Sequence, residues 1–203
     1  MDTLEAMATC RAIRYLRPDP LPDDIVETIL HAATRAPSPG NTQEWDFVVV
    51  DDADLRRRIG EAVAPNLVPR VEKMPRPDRT ARLMLDGVEH MARTLAECPV
   101  IVFVCGAVKY PPSAPMEKFT WSAVYPAAQN LIVAARALGV GSVFTTIQLN
   151  AEPQIREILG IPDEVLIGAT IPLGWPDAEF GPVRRRPLSD FVHRNGWQGE
   201  LRA

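Results

Sequence analysis

Residues 36–50 read Ala36-Pro37-Ser38-Pro39-Gly40-Asn41-Thr42-Gln43-Glu44-Trp45-Asp46-Phe47-Val48-Val49-Val50, a polar loop running straight into an apolar segment. Two prolines, a glycine, an asparagine and a serine suit a turn for backbone reasons. The stretch Trp45 to Val50 then has the β-branched, aromatic character of a buried strand. Upstream, between Pro22 and Arg35, apolar Ile25, Val26, Ile29, Leu30 and Ala33 recur at helical spacing. Acidic Asp23, Asp24 and Glu27 stand where a helix N-terminus favours negative charge. The unit is therefore helix, polar loop, strand.

Downstream, Asp54 to Ala64 has a helical pattern, which Pro65, Pro69, Pro75 and Pro77 are expected to interrupt. The stretch Ala64 to Arg79, which carries Arg70, Lys73, Arg76 and Arg79, is thus expected to be a mobile loop. Thr80 to Glu97 resumes a helical pattern, and Pro99 opens a strand from Val100 to Cys105. A second irregular stretch, Gly106 to Lys118, precedes a long apolar helix over Trp121 to Leu138 that stops at Gly139, with Pro126 near its start or at a kink. Val140 to Ile147 and Val165 to Leu173 read as strands around a short helix at Pro153 to Leu159. The tail from Gly174 has no core-forming periodicity and is free to reach a partner. About four strands among four or five helices make an α/β or α+β chain, read as a single domain over 1–203.

The chain has 203 residues, with 22 basic against 26 acidic side chains and a net charge of −4. That balance gives no electrostatic footprint for nucleic acid. No apolar run reaches the ~18 residues of a membrane span, and the N-terminus lacks a signal-peptide pattern, so a cytoplasmic protein is expected. Cys10, Cys98 and Cys105 form no C-x-x-C pair, and His31, His90 and His193 lie far apart, so no metal site is expected. Gly139-Val140-Gly141-Ser142-Val143-Phe144 starts like a dinucleotide-binding fingerprint. It fails because Phe144 holds the third glycine position and the glycines precede a strand. Motifs for phosphoryl transfer, G-x-S-x-G hydrolysis and H-E-x-x-H metal chemistry are missing, which leaves the chemistry to a cofactor.

The informative charges are two arginine clusters, Arg11 with Arg14 and Arg184 with Arg185 and Arg186. Guanidinium forks bind phosphate oxygens bidentately, so convergence of the clusters would make a monophosphate site. Taken separately, each also reads as a solvated charged surface. Ser38, Asn41 and Gln43 offer a hydroxyl and two carboxamides, which can pair with the alternating donors and acceptors on the edge of a flavin, or simply close a turn.

These pieces, in this order, resemble the FMN-dependent nitroreductase family over nearly the whole chain. The resemblance is carried by Arg11-Ala12-Ile13-Arg14, by the loop Ala36-Pro37-Ser38-Pro39-Gly40-Asn41-Thr42-Gln43-Glu44-Trp45, by Val124 to Leu131 with Ala135 to Gly141, and by Leu173-Gly174-Trp175-Pro176 followed by Arg184-Arg185-Arg186-Pro187-Leu188. It implies an α+β, three-layer fold with a central, mainly antiparallel mixed sheet flanked by helices, in an intertwined homodimer with FMN at the interface. It further implies that Arg11, Ala12, Arg14, Arg184 and Arg186 line the phosphate end of FMN. Pro37, Ser38, Pro39, Asn41 and Gln43 are expected to meet the flavin from the partner chain, with Gln129 close by. Thr145, Thr146 and Ile147 would bring backbone N–H groups to its N5 and O4. Cys10 and Ala12 replace polar residues common in the family, and Pro39 lacks an N–H donor.

The implied reaction is a ping-pong transfer of hydride from NADH or NADPH through FMN to a small acceptor such as a nitroaromatic or quinone. Arg14 would supply positive charge near N1 and O2, and the Thr146 turn would serve N5. Alternatives within the same fold are reductive dehalogenation or oxygen-dependent flavin cleavage, and outside enzymology a non-catalytic FMN-binding dimer.

Overall fold

The computed structural model describes residues 1–197. Its elements are α1 (Thr3–Thr9), α2 (Asp23–Ala33), β1 (Asp46–Val50), α3 (Ala53–Glu72), α4 (Arg79–Thr94), β2 (Val100–Ala107), α5 (Glu117–Ala137), β3 (Gly141–Ser142), α6 (Glu152–Leu159) and β4 (Val165–Gly174). The four strands form one sheet in the order β1-β2-β4-β3, and every pairing is antiparallel.

β2 is buried along its whole length, as its unbroken apolar run requires of a central strand covered on both faces. Its even-numbered residues Val100, Val102 and Val104 join a core with Val26, Ile29 and Ala33 of α2 and Val124, Ala128 and Leu131 of α5. Odd-numbered Ile101, Phe103 and Cys105 join a second core with Ile59 and Val63 of α3, Met91 of α4 and Ile155 of α6. Helix layer, sheet and helix layer follow directly from this alternation.

The β2–β4 register shifts between Val104 and Cys105, whose partners are Ala169 and Ile167, so Gly168 is the extra residue of a bulge. A Cβ at Gly168 would stand 2.6 Å from Val124 Cγ1, and one at Gly106 would stand 2.6 Å from Val124 Cγ2. The two glycines let α5 lie close on the sheet.

Two expectations are corrected and one helix is added. α3 continues through Pro65 and Pro69 to Glu72, so most of the stretch expected to be a loop is helix. Glu61, Pro65 and Pro69 are exposed and four residues apart, so both prolines and the carbonyls they orphan, those of Glu61 and Pro65, face water, where an unpaired carbonyl is solvated. Within Val140 to Ile147 only Gly141–Ser142 is strand, followed by a single bridge between Thr145 and Thr170. α1, capped by the Asp2 carboxylate accepting from Glu5 N–H, has no counterpart in the sequence reading. Gly139 does stop α5: it has φ +76°, Gly139 N–H donates to Arg136 O, and Val140 N–H donates to Ala135 O, a left-handed helix end. Among the described residues no helix is long and apolar enough to cross a membrane.

Candidate active site

The chain from Arg11 to Arg17 lies between β3 and the segment after β4. Ile13 N–H donates to Ser142 O, Arg17 N–H to Trp175 O, Asp177 N–H to Tyr15 O, and Val183 N–H to Ala8 O. This lacing holds the chain just before the C-terminal arginine cluster beside the end of α1 and near Arg11. Arg11 Nη1 would lie 3.6 Å from a Cβ at Gly181, and Arg184 follows directly on Val183.

Arg14 is half-buried against α4, where its Cδ would lie only 3.1 Å from a Cβ at Gly87. A glycine inside a helix disfavours the helix, and here it makes the groove in which the Arg14 stem lies. Stacking of Tyr15 on His90, with centroids 4.2 Å apart, closes the next turn of that groove. Arg14 Nε is buried with no hydrogen-bond partner among the described residues. Burial lowers its pKa, and repulsion from Arg11 lowers it further. A buried donor that lacks an acceptor and shares its surroundings with a second cation is a place prepared for an anion. Ala12 is exposed between them.

The loop before β1 is a short 3-10 turn, Pro39–Asn41, with Gly40, Asn41 and Gln43 at φ +59°, +54° and +52°. Ser38 Oγ accepts from Gln43 N–H at 3.0 Å, and Thr42 Oγ1 donates to Pro39 O at 2.8 Å. Ser38 thus closes the loop and keeps its own proton to donate. Asn41 and Gln43 are exposed, and the loop's internal bonds leave their carboxamides free. Pro37 is exposed and Pro39 half-buried. A Cβ on Gly40 would meet Tyr110 Cε2 at 2.7 Å. Gly40→Ala should therefore lower the melting temperature by about 2–8 °C, from a left-handed penalty of about 1–2 kcal/mol before any ring movement. Thermal unfolding followed by circular dichroism checks this.

In the turn after β3, Thr145 is already committed, since its N–H and its hydroxyl both donate to Thr170 O. Of the three N–H groups expected to face a ligand, those of Thr146 and Ile147 remain, the second at the start of the 3-10 turn Ile147–Asn150. Sequence reasoning missed the pins beneath them. Thr170 Oγ1 donates to Gln148 Oε1 at 2.9 Å, and Gln148 Nε2 donates to Ile167 O at 3.3 Å, all of it buried. Thr170→Val should destabilise the fold by about 1–3 kcal/mol, because it orphans the buried Gln148 oxygen. Urea unfolding measures that loss. The only hint in the sequence was a glutamine and a threonine in otherwise apolar segments.

Gln129 is exposed on α5, one turn beyond Tyr125. Tyr125 stacks on Trp121 at 5.4 Å and meets Phe144, the neighbour of Thr145, at 6.0 Å. This aromatic row joins the Gln129 side of α5 to the Thr146 turn. The thiols stay outside the chemistry: burial pushes Cys98 and Cys105 up to about 12 and raises Cys10 as well.

One separation stands out. Gly40 packs beside Tyr110, beyond the Ala107 end of β2, whereas Ile13 and Leu16 flank Gly141 and Gly174 at its Val100 end. Seven residue steps of roughly 3.3 Å set these ends roughly 23 Å apart. No hydrogen bond or ion pair among the described residues links the loop to Arg11, Arg14 or the C-terminal arginines.

Comparison with known proteins supplies the family and the fold. A model described as "Nitroreductase family" matches residues 8–175. The NADH dehydrogenase of Thermus thermophilus is 32% identical, with 95% of each chain covered. The 5,6-dimethylbenzimidazole synthase of Rhodospirillum rubrum is also 32% identical, over 97% of this chain and 90% of that one. A crystal structure of iodotyrosine deiodinase bound to FMN and 3-iodo-L-tyrosine superposes with a TM-score of 0.78 at 20% identity, covering 97% of this chain and all of that one, a likeness of fold.

Proposed function

Because the chain belongs to the nitroreductase family, we propose that it is an FMN-dependent oxidoreductase, one domain over 1–203, that uses NADH or NADPH to reduce a small organic acceptor such as a nitroaromatic or quinone by a ping-pong mechanism. The observation that carries this reading is the buried, unpartnered Arg14 Nε beside Arg11. These residues fit FMN: two cations at one end suit its phosphate or its electron-rich pyrimidine edge, and free backbone N–H groups at Thr146 and Ile147 suit ring acceptors. When bound, FMN supplies a two-electron store, so that one NAD(P)H and one proton are consumed for each two-electron reduction.

The protein's own part is binding and orientation. Arg11, Arg14, Arg184 and Arg186 hold the anionic groups, with Ala12 leaving room between the first two. Thr146 and Ile147 donate from a turn kept rigid by the Thr170–Gln148 pins. Ser38 donates its proton, while Asn41, Gln43 and Gln129 present carboxamides to the ring edge, and Pro37 and Pro39 shape the wall. Since the loop stands at the far end of β2 from Arg14 in its own chain, a second copy supplies it, and the protein acts as a homodimer. The tail supports this. Leu188, Phe191 and Trp197 are 65%, 51% and 86% exposed, a waste of apolar surface unless another chain covers them.

An anaerobic absorbance spectrum of the FMN-loaded protein before and after NADH or NADPH tests the reading. Bleaching of the oxidised-flavin band near roughly 450 nm, then steady turnover with a nitro or quinone acceptor, supports it. A second reading, other flavin chemistry on the same fold, is favoured by the equal 32% identity to an enzyme named as a synthase. Bound FMN that neither nicotinamide bleaches would select it.

A further inference from the structure

α4 presents a face made of Thr80, Leu83, Met84, Gly87, His90 and Met91, residues spaced three and four apart. Half of it is covered from within the chain: Arg14 lies on Gly87, Tyr15 stacks on His90, and Met91 is 2% exposed. The other half is open. Leu83 and Met84, one turn from Gly87, are 55% and 44% exposed, so an apolar stripe that the described residues leave open runs outward from the Arg14 groove.

Charge frames the open half. Arg79 and Arg82 stand in the first turn, exposed and in no ion pair among the described residues, whereas the two arginines nearest the turn and the end of α4 are engaged. Arg76 pairs with Asp86 and Glu89, and Arg93 pairs with Glu72 and Glu89. The nearby carboxylates are engaged too: Asp78 caps α4 by accepting from Ala81 N–H, and Asp86 faces Arg76. The stripe is thus two apolar side chains with unsatisfied positive charge at its outer end, contiguous with the proposed flavin site at its inner end. Two apolar side chains beside a free cation match a small ring bearing an anion.

We infer that the preferred acceptor is an apolar, ring-bearing anion whose body rests on Leu83 and Met84 and whose negative group meets Arg79. This rests on the flavin oxidoreductase reading above and narrows its substrate class.

The experiment uses the FMN-loaded protein and two acceptors with the same nitrophenyl ring, 3-(4-nitrophenyl)propanoate and its methyl ester, in which the methylenes insulate the nitro group from the charge. The acid is expected to have a kcat/KM about fivefold above the ester at low salt, a difference carried by KM, and Arg79→Gln should erase it. Leu83→Asp should lower kcat/KM for both acceptors. Redox-inert 3-phenylpropanoate, titrated calorimetrically, should bind the native protein and lose about the same factor in Arg79→Gln, which reads recognition apart from turnover. Equal kcat/KM for acid and ester, or an unchanged ratio in Arg79→Gln, overturns the inference. So does dissociation of the dimer by Leu83→Asp, which would give the face to a second copy, and so does slower bleaching by NAD(P)H in Arg79→Gln with the acid preference intact, which would give Arg79 to the electron donor. Failure of the native protein to bleach at all strikes the oxidoreductase reading, while the calorimetric arm still decides the anion site.

Discussion

Arg14→Met will weaken FMN binding by about ten- to a hundredfold while leaving the FMN-free protein as stable as before or slightly more so. The two effects have one cause. In the free chain the guanidinium is half-buried, its Nε has no partner, and Arg11 stands close enough to depress its pKa further. Removing it relieves desolvation and repulsion, whereas methionine keeps an unbranched stem in the groove over Gly87. In the complex the same substitution deletes charge-assisted hydrogen bonds worth about 1.5–3 kcal/mol, which gives the stated range. Fluorescence titration of FMN together with thermal unfolding of both FMN-free proteins measures the pair. A destabilised Met variant with unchanged FMN affinity would make Arg14 a structural ion rather than a ligand.

Leu188→Asp combined with Phe191→Asp will weaken the dimer by about a thousandfold. Both side chains lie beyond Val183, whose N–H donates to Ala8 O and is the last described backbone bond tying the tail to the body of its own chain. Past it the contacts are local, such as the Arg186 guanidinium 4.3 Å over the Phe191 ring and 3.9 Å from Asp190. A two-fold dimer buries each side chain twice. At about 1 kcal/mol for each partial burial the four groups contribute about 4 kcal/mol, or about a thousandfold in Kd. Sedimentation velocity over a concentration series reads this directly, and FMN affinity should fall with dimer content. A variant that remains dimeric at nanomolar concentration would remove the tail from the interface.

What was legible in the sequence is what short-range pattern encodes. The α2 stripe, the loop before β1, the apolar run of β2 and the Gly139 stop were each read from neighbouring residues, because helix faces, buried strands and left-handed ends leave local signatures. The failures share a different cause. Pro65 and Pro69 cost α3 two hydrogen bonds and two ring clashes, which it sustains because the orphaned carbonyls face water, and whether position 65 faces water depends on what packs against α3. The segment Val140 to Ile147 has strand composition, yet beyond Ser142 its partner β4 is met only at Thr170, so composition could not set its length. Gly87 and Gly168 look like weak points locally and prove to be clearances for Arg14 and α5. For the site, residue types were readable, but that the loop and Arg14 come from different chains was implied only by the family resemblance, since nothing local says that Gly40 and Arg14 belong to opposite ends.

That division is the centre of the account, and subunit complementation tests it most directly. Arg14→Met and Gly40→Val chains, carrying different tags and produced together, give mixed dimers in which one site combines the intact Arg14 of one chain with the intact loop of the other. At an FMN concentration between the native and variant Kd values, each variant alone should bind almost none. The co-produced pool should recover about one quarter of the native FMN per chain, since half the dimers are mixed and each holds one whole site. Recovery at that level would establish a site built across the interface. A pool that binds no more FMN than the two variants measured apart would place the loop and Arg14 in one site of a single chain, or the loop in no site at all, and would contradict the account.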